Sequence, residues 1–183
     1  MNAKEIGTAH ENCVVKKRKG PDIKERGKFC ASWTIEKFRS EQDKKNGKPY
    51  EVLRWPLNLL LNEGINELWT IICSAGGTKF DNTNAYLGVG DSSTAAAATQ
   101  TALQAAVNKL YKGMETGFPT YGTDQKAVWK SSFASAEANF AWEEFTVANG
   151  SSDTADNLNR KVESKGTKQS GDVWDLTLEI TLA

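Results

Sequence analysis

One histidine, three cysteines and four prolines are all that 183 residues hold of these types, and each shortage closes off a class of chemistry. A serine or cysteine nucleophile needs a general base, most often histidine. The single His10 stands in a polar N-terminal stretch and reads as a solvated or interface residue. Cys13, Cys30 and Cys73 are odd in number and widely spaced, with no C-x-x-C pair. That pattern argues against both a disulfide scaffold and a zinc module and leaves reduced thiols as the plain reading. No apolar run approaches the ~18 residues a membrane helix needs. The opening MNAKEIGTAHENCVV lacks the apolar core and small-residue cleavage site of a secretory signal, so a soluble chain that is not exported is expected. Net charge is also missing: 23 Lys and Arg balance 23 Asp and Glu, so the whole molecule has no field to gather nucleic acid.

What charge there is, however, is unevenly placed. Residues 1–54 carry 14 basic against 8 acidic side chains, a net of +6, and residues 55–183 carry 9 against 15, a net of −6. Residues 1–53 are polar and interrupted by KGPD and KNGKP. Only FCASWTIEKF has the apolar content to pack. Ordering such a segment costs about 1–2 kcal/mol per residue, more than its own burial returns. The expectation is an extended basic N-terminal arm over residues 1–53 that orders along a neighbouring chain, attached to a β-rich body over residues 54–183.

The body begins with a helical signal. Pro56 suits a first helical position, and Leu57, Leu60, Leu61, Gly64, Ile65, Leu68 and Ile72 recur at steps of three and four before SAGGT ends the pattern. This predicts one amphipathic helix at about 57–73. Beyond Gly77 the period is two. Trp174, Leu176, Leu178, Ile180 and Leu182 alternate with Asp175, Thr177, Glu179 and Thr181. Earlier strands are expected at 85–89, 109–114, 126–133, 140–147 and 158–164, with a bulge near Glu143 and Glu144 where the apolar parity slips. The fold class is therefore mainly β: an antiparallel β-sandwich of jelly-roll type, with one helix before the strands.

Two stretches invite a chemical reading. AYLGVGDSSTAAAATQTALQAA orders its parts like a phosphate loop, but GVGDSST has no lysine. It also puts Ser93 where a dinucleotide fingerprint needs its third glycine. The expectation is that Gly88 and Gly90 permit a tight strand exit and that Asp91, Ser92 or Ser93 caps a short alanine-rich turn or helix. Glu143 and Glu144 are adjacent on a strand and point to opposite faces, so they read as surface residues and not as a catalytic pair. No catalytic, cofactor or metal residue is assigned.

Partner contacts are the remaining option. Lys16, Lys17, Arg18 and Lys19 form the strongest local charge feature. Without interleaved aromatics they suit an acidic protein surface better than nucleic acid. Among six tryptophans, several sit where the patterns expect core, while Trp33 and Trp55 lie in or beside the arm and are the candidate aromatic anchors.

The blocks NAYLGVGDSSTAAAATQTALQA, SAEANFAWEEFTVAN and LNRKVESKGTKQSGDVWDLTLEITLA, in that order, resemble small virion structural proteins of tailed bacteriophages over roughly residues 55–183. The resemblance implies a non-enzymatic part of the particle, made in the host cytoplasm and placed on the outer surface of the head. Decoration or cement proteins of that kind are small β-rich domains with a terminal arm, gathered as trimers or dimers over capsomer joints. The partners implied are the major capsid protein and neighbouring copies. A neck, tail or baseplate component is the alternative within the particle, and a DNA-binding protein using Lys16–Lys19 is the alternative outside it.

Overall fold

The computed structural model describes residues 29–182. Ten strands and two helices follow in the order β1 (Phe29–Phe38), α1 (Glu41–Lys45), β2 (Glu51–Pro56), β3 (Leu59–Leu60), α2 (Asn62–Cys73), β4 (Tyr86–Gly90), β5 (Lys109–Gly113), β6 (Thr120–Thr123), β7 (Lys126–Phe133), β8 (Glu144–Ala148), β9 (Asn159–Val162) and β10 (Val173–Leu182). They form two five-stranded antiparallel sheets, ordered β2-β1-β10-β7-β6 and β3-β9-β8-β4-β5. The mainly β sandwich expected from the strand periodicity is the observed class.

The first sheet shows why these residues make strands. In β1, Ala31, Trp33 and Ile35 alternate with Ser32, Thr34 and Glu36, and the first set is buried. Antiparallel register then lines up one inward rung across four strands: Trp55 opposite Trp33, Trp33 opposite Leu178, and Leu178 opposite Trp129. The second sheet answers with Leu87 opposite Val147 and Val89 opposite Phe145. Aromatic rings close the space between the layers. Trp142 meets Trp174 edge to face at 4.8 Å and Phe133 at 4.7 Å, and Phe145 lies 5.2 Å from Trp55. Such pairs add to the area they bury because ring edges and faces carry opposite partial charge.

This arrangement corrects three expectations. The arm does not run to residue 53. Residues 29–53 supply an inner strand, a short helix and the first half of β2, because FCASWTIEKF pairs on both sides and the polar residues after it are spent on a tight connection. In that connection Ser40 Oγ accepts from the Asp43 N–H at 3.1 Å as the cap of α1. Lys44 reaches across to the buried Asp175 at 2.9 Å. The helix expected at about 57–73 begins only at Asn62. Residues 57–61 are not helical and cross from one sheet to the other, with Leu57 turned at φ 74° and Leu60 paired with Asn159. The leucine spacing suited a helix but serves the crossing, where Leu61 is fully buried.

Finally, the glycine stretch ends a strand as expected but caps no helix. Gly88 lies within β4 and Gly90 is its last residue, where a Cβ would come within 2.4 Å of Glu144 Oε1. The alanine-rich residues after it are irregular and cross the outer face of the second sheet, burying Leu103 and Ala105. Among the described residues no helix is long and apolar enough to cross a membrane.

Candidate partner-docking site

The residues singled out as anchors do not come together on the surface. Trp33 is fully buried and Trp55 nearly so, their rings stacked at 6.4 Å inside the sandwich. They hold the sheets together and are not free to reach a partner, which corrects their assignment. Lys16, Lys17, Arg18 and Lys19 lie outside the described residues.

Glu143 and Glu144 do point to opposite faces, but only one is a surface residue. Glu143 accepts from the Ser164 hydroxyl at 2.8 Å. Glu144 is fully buried. Its carboxylate accepts from Arg160 Nε at 2.8 Å and from the backbone N–H groups of Gln104 and Ala105 at 2.9 and 2.7 Å. Arg160 is fully buried too, and its Nη1 donates to Gln100 Oε1 at 2.9 Å. Its Nη2 sits 2.7 Å from Glu144 Oε2 as a charge contact but is not aligned as a hydrogen bond. A carboxylate held by three hydrogen bonds and a guanidinium charge contact under a loop is a structural clamp. It ties the segment 100–105 to β8 and β9, and Gly90 leaves the room for it.

The surface that stands out is on α2. The helix is fixed to the body at several points. Gly64 lies against the chain at Leu158, so closely that any side chain there would meet backbone. Glu63 accepts from the Asn157 N–H at 2.7 Å, and burial holds its carboxyl above the usual carboxylate range in spite of that bond. Glu67 accepts from the Thr78 N–H, and Asn149 Nδ2 donates to the Thr78 carbonyl at 3.1 Å.

With its inner side so committed, α2 turns Leu68, Trp69 and Ile72 outward at 36%, 60% and 70% exposure. Spacings of three and four put these on one helical face beside the half-buried Ile65. Leu68 and Ile72 belong to the apolar stripe that the spacing expects to be buried, since periodicity shows which residues share a face but not which face is covered.

Ion pairs elsewhere are spread over the sheet surfaces. Lys112 donates to Glu137 at 2.6 Å and Lys130 lies 3.2 Å from Asp175. Lys168 is buried and donates to the Ala134 carbonyl at 2.8 Å and to Asn139 Oδ1 at 2.9 Å, and burial lowers its pKa from the ordinary lysine value. Among the described residues no group of three His, Cys, Asp or Glu side chains is placed to hold a metal ion. What the surface offers chemically is an apolar, aromatic contact on a rigid mount. Comparison of the chain with protein-family models, with curated proteins and with solved structures found no match.

Proposed function

We propose that this chain is a structural protein of a tailed-phage virion, a capsid decoration protein that binds the outside of the head and links neighbouring subunits. The observation that carries this reading is the outward face of α2. A helix anchored by Gly64, Glu63 and Glu67 nonetheless presents Leu68, Trp69 and Ile72 to water. Exposing that much apolar surface is unfavourable by about 25 cal/mol for each Å² left wet, and a tryptophan at its centre is the usual form of an interface anchor. The resemblance of three sequence blocks to virion proteins supplies the partner class: the major capsid protein.

The rest of the molecule suits a mechanical role. Two sheets joined by interlocked tryptophans transmit load between the partner contact and the chain that leaves at Phe29. A ligand that binds only the assembled shell stabilises the shell by linkage, and many copies multiply a modest contact.

The test is add-back of the purified full chain to heads that lack it, followed by quantitative gel analysis of copies per particle. A copy number that scales with the capsid lattice is the expected result. Saturation at a single ring of copies would move the protein to the neck or tail, and no retention on any part of the particle would overturn the virion reading.

A further inference from the structure

The second sheet is left open at one corner. β9 pairs with β8 on one side along Lys161 and Val162, but on its other side β3 covers only Asn159 and Arg160. Leu57, at φ 74°, has already turned the chain away toward β2. Beyond Arg160 the outer edge of β9 therefore has no strand beside it among the described residues. Directly against this gap lies an open groove of about 450 Å³, lined mainly by Leu57, Leu59, Ala95, Ala96 and Val162, with Asn58, Ser93, Arg160 and Lys161 also on its wall. Neither cation is unpaired, since Arg160 is neutralised by Glu144 and Lys161 lies 3.1 Å from Glu163.

An unpaired edge beside an apolar groove is the geometry that accepts an added strand: the backbone pairs with the edge and alternate side chains drop into the groove. A residue placed opposite Val162 shares its face of the sheet and so meets the groove wall.

We propose that this corner is a seat for an extended segment, and that its occupant is the Cys13–Val15 stretch of a second copy of this chain. Three observations select it. The chain ahead of Phe29 is 28 residues long, and Cys13-Val14-Val15 is its one run of three apolar residues, two of them β-branched strand formers. Those 28 residues hold eight basic against four acidic side chains, a net of +4, while residues 29–183 hold 15 against 19, a net of −4, so segment and body attract.

The described chain also starts at this rim, since the Leu57 N–H donates to the Ala31 carbonyl at 3.0 Å. Phe29 pairs with Leu182 at the very end of β10, so the described chain begins at the end of the first sheet. The 13 residues between Val15 and Phe29 span at most about 45 Å, enough to reach a neighbouring molecule.

The seat rests on the reading of this protein as one that links copies, but it is testable without any phage particle. Hydrogen–deuterium exchange of the full chain is followed by mass spectrometry at rising protein concentration, with a synthetic peptide of residues 9–20 as the free reference. The expected result is that amides 13–15 exchange about tenfold or more slowly than in the peptide. That protection should grow with concentration as the mass rises above a monomer.

Ala95→Trp, on an exposed loop residue, fills the groove and should restore peptide-like exchange while the melting temperature stays put. The double substitution Val14→Asp and Val15→Asp leaves residues 29–183 untouched and should abolish the concentration-dependent assembly. Peptide-like exchange at every concentration overturns the seat. So does protection that survives Ala95→Trp, and protection independent of concentration at monomer mass overturns the second copy as occupant. Normal head binding with freely exchanging residues 13–15 would sink the seat and leave the decoration reading standing. Self-association without head binding would do the reverse.

Discussion

A Cβ on Gly64 would lie 2.3 Å from Leu158 Cα, so the helix that presents the apolar face sits on the sandwich backbone to backbone. Gly64→Ala must push α2 off the segment just before β9, because the neighbour in the way is main chain of Asn157 and Leu158 and cannot swing aside. The cost expected is about 2–3 kcal/mol. Protease cleavage within residues 62–79 should rise before global unfolding does, which limited proteolysis of the variant will show.

The two tryptophans beside the N-terminal stretch, Trp33 and Trp55, give a contrasting expectation. Trp33 fills the inward rung of the first sheet and its indole N–H has no acceptor. Trp33→Ala should cost about 3–5 kcal/mol through the cavity it leaves. In a chain of this size that lowers the melting temperature by about 10 °C or more. Trp33→Phe should cost clearly less, since the unpaired donor leaves with the larger ring. Differential scanning calorimetry of both variants separates a core role from a partner role, which would leave both melting temperatures unchanged.

Glu144 and Arg160 form the buried clamp over which residues 100–105 are laid. Removing one charge strands the other, so Arg160→Met alone should destabilise by about 3–5 kcal/mol. Adding Glu144→Gln should recover part of that loss, although the N–H groups of Gln104 and Ala105 then face a weaker acceptor. Urea denaturation of the two single variants and the double closes the cycle, and additive costs would show that the pair is not coupled.

How far the sequence leads depends on what surrounds each residue. The strand at Lys126–Phe133 is legible because it alternates with one dry face, and the last strand because Leu176, Leu178 and Ile180 alternate with less buried residues, although Val173–Leu176 are buried on both faces. β1 carries the same alternation in Ala31, Trp33 and Ile35, yet the polar residues on either side hide it, and a window average cannot see that both its edges are paired. Leu57–Leu61 match a helix in spacing, but a chain crossing between two sheets buries leucines at the same intervals. Glu144 reads as a surface carboxylate because its partner Arg160 is 16 residues away in sequence and meets it only through the pairing of β8 with β9. The exposed face of α2 was in the pattern all along, with nothing in the spacing to say that Gly64 and not Trp69 would turn inward.

Acid should weaken the fold in part through Glu137. Burial alone would raise its carboxyl, but the hydrogen bond from Lys112 and the N–H of Ala134 outweigh it and hold the group below its ordinary value of 4.5. A carboxylate depressed in the folded state contributes stability that is present above about pH 4.5 and is lost as pH falls through the folded value. Glu137→Gln should therefore lower the urea midpoint at pH 7 and reduce the further drop between pH 5 and about pH 3. An unchanged acid limb in the variant would assign the loss to other carboxylates, Glu163 first among them.

Trp69 and Ile72 carry the most direct test of the proposed role. Both side chains are mostly in water, so the folded state gains little from them, and Trp69→Ala with Ile72→Ser should shift the melting temperature by no more than a degree or two. If α2 is the contact with the head, the same double variant loses an aromatic anchor worth about 2 kcal/mol or more, a fall in affinity of roughly thirtyfold or greater. Add-back to undecorated heads measures it directly as the concentration needed for half occupancy. Full-strength decoration by this variant would mean that the apolar face of α2 serves some other partner, because the substitution removes most of what that face exposes and leaves the sandwich, Gly64 and the two glutamate anchors in place.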